Sequence, residues 1–428
     1  MKTHGHRSEC VAIGFLLVCL TSWCRGADVD VKRGPFPLVG SVDGPPINIL
    51  AYDNVEVSPW AGVFAFDSPA HPKLVQLRQD YKLDAIVKSA TTDLARALAL
   101  KDWVVGAVKF GTPTPEVYRD WSAIALLDRI KNGEVIFCGQ CATIFQQACV
   151  AFGMPARFIE LGIPENPACH FTTEVFLREY GKWAVIDATA APEFNCYYTV
   201  DGVPQSALEM HQRVVGGGME KVVQVHPGGA QPVVVAKTGK SPETPAWYFY
   251  YVRWLTRCDV VANTPAYCDP ENTFDRWRDT VGWVDDKTIP WEKSRNACWW
   301  IRNWPPSAWC ISDPAVVSWE PTSRTMMTLR TKGGKELYVD LATGDIDVDY
   351  FQVRVNDGDW QRLPRGNTFM GFRTSRGHTG PVWGPMRFAM DRLVAPSSTV
   401  QARIVRRDGT LGPLSFVKFS NPEHKSGT

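Results

Sequence analysis

Phe137-Cys138-Gly139-Gln140-Cys141-Ala142, within residues 133–189, is the run from which the rest of the chain is read. After it, Ile144, Phe145, Ala148, Cys149 and Phe152 recur at helical spacing, which predicts a helix from Ala142 to Phe152 with one buried stripe. Gly153 supplies a left-handed stop, and Pro155 blocks continuation. Cys141 lies four residues before Phe145 on the same stripe, so it is expected to head the helix with its sulfur aimed inward. A thiol there meets free N–H groups and the positive end of the helix dipole, which favours the thiolate.

A nucleophilic thiol needs a base. His170 opens an alternating stretch that reads as a strand to Leu177, and Lys182 to Thr189 reads as a second strand after a turn at 178–181. A hairpin with a four-residue loop sets Leu177 opposite Lys182 and Thr172 opposite Asp187. His170 is then the diagonal neighbour of Asp187 on one face, and a one-residue slip would separate them. Cys141, His170 and Asp187 supply nucleophile, base and base-orienter, the groups that covalent acyl transfer requires.

Gly139-Gln140-Cys141, the helix ending Ala151-Phe152-Gly153-Met154-Pro155-Ala156-Arg157, His170 with Glu174, and Gly181-Lys182-Trp183 followed by Asp187-Ala188-Thr189 together resemble the core of the transglutaminase-like superfamily. The resemblance covers residues 90–189 and departs at Thr172, where that family often has Trp. It implies an α+β, papain-like domain acting on peptide or glutamine amides through a thioester. The family holds crosslinking transglutaminases, proteases, deamidases and inactive members. Helices in front of a Cys-headed helix, then strands carrying His and Asp, agree with that layout.

Other readings of the same residues stand beside this one. Cys138-Gly-Gln-Cys141 is a Cys-x-x-Cys, as in redox sites, although residues 121–130 before it read as helix rather than strand. Cys138, Cys141, Cys169 and His170 have the ligand types of a zinc site. Cys141 can also be a core thiol in a scaffold. For an oxyanion hole the first donor is expected to be the Cys141 N–H. The Gln140 side chain and the indoles of Trp103 and Trp121 are candidates for the second, with ordinary packing as the alternative. Glu174 is expected to form an ion pair or hydrogen bond.

The chain has 428 residues, a formal net charge of +1 and 45% hydrophobic residues, enough for two or three domains and without the basic excess of a nucleic-acid binder. Lys2 and Arg7 precede an apolar run at 11–23, which reads as a secretory signal peptide over 1–27, too short to span a bilayer. The expected location is therefore the cell exterior or periplasm, with no transmembrane span after cleavage. Residues 28–215 are read as the transglutaminase-like domain with an N-terminal arm, and 216–246 as a Gly/Pro-rich linker. Residues 247–314 form a Trp- and Cys-rich segment, and 315–428 an antiparallel β-sandwich of immunoglobulin-like type.

Cys258–Cys268 and Cys298–Cys310 are the expected disulfides. Asp345, Asp347 and Asp349 alternate with apolar residues, which suits an outward strand face better than a calcium site, and no cofactor is expected. The expected partner is a protein or peptide substrate, with a cell-wall or matrix glycan as a second class. The rival function is a non-catalytic extracellular protein that uses the scaffold and the Trp-rich region to bind glycan or protein.

Overall fold

A computed structural model describes residues 47–55, 64–112, 121–163, 166–233, 245–258, 280–283, 309–321, 323–332, 336–364, 385–389 and 397–420. The expected signal peptide, most of the Trp/Cys-rich segment, Cys268 and Cys298, and the side chains of Cys169 and Cys310 lie outside the described residues.

β1 (Asn48–Asp53) and the two-residue β2 (Ala65–Phe66) precede five helices: α1 (Pro72–Asp80), α2 (Leu83–Ile86), α3 (Asp93–Ala107), α4 (Ala123–Lys131) and α5 (Cys138–Ala151). Side-chain oxygens start two of them. Thr92 Oγ1 accepts from the Ala95 N–H at 3.1 Å, and Ser122 Oγ accepts from the Ala125 N–H at 3.4 Å. α5 starts earlier than the apolar stripe predicts, because Gln140 Oε1 accepts the Phe137 N–H at 3.2 Å and closes the first turn from within. Gly153 (φ +70°) ends it as expected. Cys138, not Cys141, is therefore the first residue of this helix.

The sheet that α5 packs on contains β3 (Ala156–Ile163), β4 (Asn166–Leu177), β5 (Lys182–Ile186), β6 (Tyr197–Val200), β7 (Val203–Pro204), β8 (Val223–His226), β9 (Gly229–Pro232) and β10 (Tyr251–Leu255). The short β11 (Arg257–Cys258) pairs with β2, while β12 (Thr280–Trp283) and β13 (Trp309–Ile311) extend the sheet beyond β10. On one face Val175, Leu177, Ala184 and Ile186 pack against Ile144, Phe145, Ala148 and Cys149 of α5 and against the other helices. On the other face Ile159, Phe176, Trp183 and Val185 meet α6 (Ala207–Gly216), and Val316 and Val317 of α7 (Ala315–Ser318) complete that layer. Mixed helices and antiparallel strands make this part α+β.

Arg157 and Glu174, both fully buried, tie the second layer together. Arg157 Nε and Nη2 donate to Glu174 Oε2 at 2.9 and 2.7 Å, and the guanidinium lies 3.9 Å from the Trp183 ring centroid. The ion pair expected for Glu174 is formed.

The remaining strands are β14 (Met326–Lys332), β15 (Glu336–Ala342), β16 (Val348–Val355), β17 (Gln361–Pro364), β18 (Pro385–Ala389), β19 (Ser397–Arg406) and β20 (Ser415–Ser420). They form two antiparallel sheets, in the orders β14-β15-β18 and β1-β20-β19-β16-β17. Met327, Leu329, Val339 and Leu341 from the first meet Phe351, Val353, Ile404 and Val417 from the second in one core. The stretch before the first helix, read from its apolar run at 47–52 as short strands or a wrapping arm, supplies β1, an edge strand of the larger sheet. Asp345, Asp347 and Asp349 each face an arginine: Arg406 at 2.9 Å, Arg407 at 3.0 Å and Arg362 at 3.4 Å.

Candidate active site

The hairpin of β4 and β5 has the register that the four-residue loop dictates, with Leu177 opposite Lys182 and Thr173 opposite Ile186. His170 and Asp187 consequently meet at the end of the sheet away from the turn. His170 Nε2 lies 2.6 Å from Asp187 Oδ2, and both side chains are buried. Asp187 is itself fixed on two sides. Its Oδ1 accepts the Thr189 N–H at 2.9 Å, and its own N–H donates to the Cys196 carbonyl at 2.8 Å.

The loop after Asp187 places Phe194 flat on the His170 imidazole, with centroids 4.1 Å apart and planes 19° from parallel. Tyr248 stands 6.0 Å from both rings. Lys101, buried on α3, anchors that loop through Nζ to Asn195 Oδ1 at 2.5 Å.

Cys138, the first residue of α5, lies near enough to this pair to act on the charge of the His170 ring. Burial alone would lower the imidazole's pKa. The Asp187 carboxylate, by charge and hydrogen bond, and then Cys138, push it up instead, to about 10. The ring therefore holds a proton at neutral pH.

Cys141, the nucleophile expected from the sequence, lies one turn further into α5. It is 0% exposed and packs in the core with Ile144 and Phe145. Burial pushes its thiol well above the ordinary range, and a hydrogen bond with the Ala190 backbone offsets only part of that. Its N–H, expected as an oxyanion donor, is spent on the Phe137 carbonyl at 3.1 Å. Cys138 is half-buried beside Trp121, Phe137, Phe158 and Phe171. At the head of α5 the N–H groups of Cys138 and Gly139 have no acceptor within the helix.

The other candidates separate by position. Gln140 lies in the first turn of α5 and caps it with its carbonyl oxygen. Trp121 packs over Gly139, so close that a Cβ there would stand 3.2 Å from the indole, and Gln147 of α5 donates to its carbonyl at 3.0 Å. Trp103 instead sits edge-on to Tyr81 within the helical layer.

Phe194 and Tyr248 were not anticipated from the sequence, and Cys138 was read there only as a redox or zinc candidate. Phe194 and Tyr248 reach His170 from distant segments, and no spacing announces them.

Among the described residues Cys138, Cys141, Cys149 and Cys196 are free thiols, while Cys258 is buried and its expected partner Cys268 lies outside the described residues. Cys258 donates to the Leu255 carbonyl. Among the described residues no group of three His, Cys, Asp or Glu side chains is placed to hold a metal ion. Likewise, no helix among them is long and apolar enough to cross a membrane.

No curated protein matches the chain. Residues 81–188, which contain Cys138, Cys141, His170 and Asp187, match the family model of the transglutaminase-like superfamily, and this segment forms a domain of that superfamily.

Proposed function

We propose that this domain is a cysteine-dependent acyl-transfer centre in which Cys138, rather than Cys141, is the nucleophile. The observations that carry the reading are the buried His170–Asp187 pair at 2.6 Å and the half-buried Cys138 at the head of α5, packed beside Phe171, the neighbour of His170. The Cys138 sulfur attacks an amide carbonyl carbon while the oxygen takes up negative charge at the head of α5, where the dipole and free N–H groups favour it. His170 delivers its proton to the leaving nitrogen, and the carbon–nitrogen bond breaks to give a thioester and an amine. Water or a second amine then attacks the thioester, His170 takes the proton, and the thiolate is released. Asp187 keeps Nε2 protonated and holds the ring's orientation.

Water as acceptor gives a peptidase or deamidase, and an amine gives a crosslinker. Hydrolysis is the reading we prefer, because no feature of the site selects an amine over water. The apolar run at 11–23 supports action outside the cell. Cys141, Cys149 and Cys196 are all buried, which protects them as thiols in an oxidising compartment.

Iodoacetamide labelling of the native protein with peptide mapping tests the assignment. Cys138 should label and Cys141 should not, Cys138→Ser should abolish labelling at this site, and Cys141→Ser should leave it. His170→Ala should slow it at least about tenfold. Labelling at Cys141, or a rate indifferent to His170, would remove the basis of the proposal.

A further inference from the structure

The outward face of the β1-β20-β19-β16-β17 sheet is ordered in a way that no sheet packing requires. Phe351 and Val353 of β16 and Val400, Ala402 and Ile404 of β19 point into the core, so Tyr350, Gln352 and Arg354 and also Thr399, Gln401 and Arg403 line the opposite face. Gln352 is directly opposite Arg403, and Arg354 directly opposite Gln401. Each pair is hydrogen-bonded from the arginine Nε to the glutamine Oε1, at 2.8 Å for Arg403.

Trp360, from the turn between β16 and β17, has the guanidiniums of Arg354 and Arg403 at 4.7 and 4.5 Å from its ring centroid. Beside it, the Arg362 guanidinium stands 4.2 Å from the Tyr350 centroid. Lys418 of β20 is exposed opposite Thr399. The carboxylates nearby are Asp349, which faces Arg362 at 3.4 Å, and the exposed turn residues Asp357 and Asp359.

This arrangement has a chemical polarity. The glutamine carbonyl oxygens are taken by arginine, so the Arg–Gln pairs present N–H donors alone, and two aromatic plates lie among them. Its complement is anionic, rich in acceptors and carries flat C–H faces. A peptide meets the Arg–Gln pairs less well, because its backbone brings a donor at nearly every residue to groups whose glutamine oxygens are already bonded to arginine.

We propose that this face binds an acidic polysaccharide, with carboxylates on Arg354, Arg403 and Arg362 and a sugar ring on Trp360. It is independent of the chemistry at Cys138 and would hold the protein on a matrix.

The test is a titration of the full-length protein at low salt with an oligogalacturonate of defined length. A neutral glucan of equal length and polyglutamate of equal charge serve as comparisons. The oligogalacturonate should bind, and the glucan should not. Trp360→Ala and Arg403→Gln should each weaken binding about tenfold. Arg362→Gln, whose side chain is 64% exposed, should weaken it without touching the core. Melting temperature and Cys138 alkylation should be unchanged in all three. Absence of oligogalacturonate binding, or binding unaffected by Trp360→Ala and Arg362→Gln in folded protein, overturns the proposal. Equal or tighter binding of polyglutamate overturns it in favour of an acidic protein partner.

Discussion

Replacing Glu174 by Gln separates structural from chemical roles in the motifs that surround the site. Glu174 Oε2 accepts three hydrogen bonds, from Arg157 Nε and Nη2 and from Trp254 Nε1 at 2.7 Å, and Oε1 accepts the Ala207 N–H at 2.6 Å. A glutamine amide cannot reproduce this. In one orientation its NH2 faces the Ala207 N–H, and in the other it faces the guanidinium and the indole. Either way the Arg157 charge is left buried without a counter-charge. Breaking a buried pair from one side costs about 3–5 kcal/mol, a large part of a typical total of about 5–15 kcal/mol.

For a cooperative unit of about 150–250 residues this lowers Tm by about 6–20 °C. Thermal and urea unfolding of Glu174→Gln, Arg157→Met and the double variant form a cycle. The double variant should be less damaged than the sum of the singles, by about 1–3 kcal/mol. Alkylation of Cys138 in the folded variant should persist. A cost below about 1 kcal/mol for Glu174→Gln would refute the reasoning, because the rings of Trp183 and Phe64 would then be holding the guanidinium without the carboxylate.

Other outcomes follow from the same geometry. Phe194→Ala should slow Cys138 alkylation several-fold with little change in Tm, and Phe194→Trp should restore the rate; equal rates in all three would reduce Phe194 to packing. Gly153→Ala should destabilise by about 1–3 kcal/mol in urea unfolding, since φ is +70° and the new Cβ would stand 2.8 Å from Asp347, which Arg407 holds; an undisturbed midpoint would contradict that close approach. His170 has a folded-state pKa raised from 6.5 to about 10, so its proton stabilises the fold fully below about pH 6.5, and that contribution is lost as pH rises towards 10. The stability gap between wild type and Asp187→Asn should therefore be widest in mild acid and shrink towards pH 10; a gap that is level with pH would mean that Asp187 does not hold that proton.

How much of this was legible in the sequence depended on whether local pattern or distant packing decides. The β4–β5 register was legible because loop length and side-chain alternation fix it together, and it brought His170 and Asp187 to one face. The helix stripe was legible too, and it already argued that Cys141 points into the core. Less legible was the start of α5. Its apolar periodicity becomes visible only at Ala142, while the first turn is set by the Gln140 carbonyl capping Phe137, a polar interaction that hydrophobic spacing does not register. The role of β1 was hidden for a different reason, since its partner strand is near the opposite end of the sequence. The cation–aromatic face was hidden because three strands and a turn must be in register before Arg354, Arg403 and Trp360 meet.

The pairing of β1 with β20 also sets a clock. Asn48 is paired with Ser420, some 370 residues later, and β20 is the strand that joins β1 to the rest of its sheet. At about 5–20 residues per second, roughly 20–70 s of synthesis separate the two. During that interval the helices and hairpin of the thiol domain are complete in sequence and free to fold. β1 must wait with its backbone groups unpaired, so the larger sheet closes only after translation has passed β20.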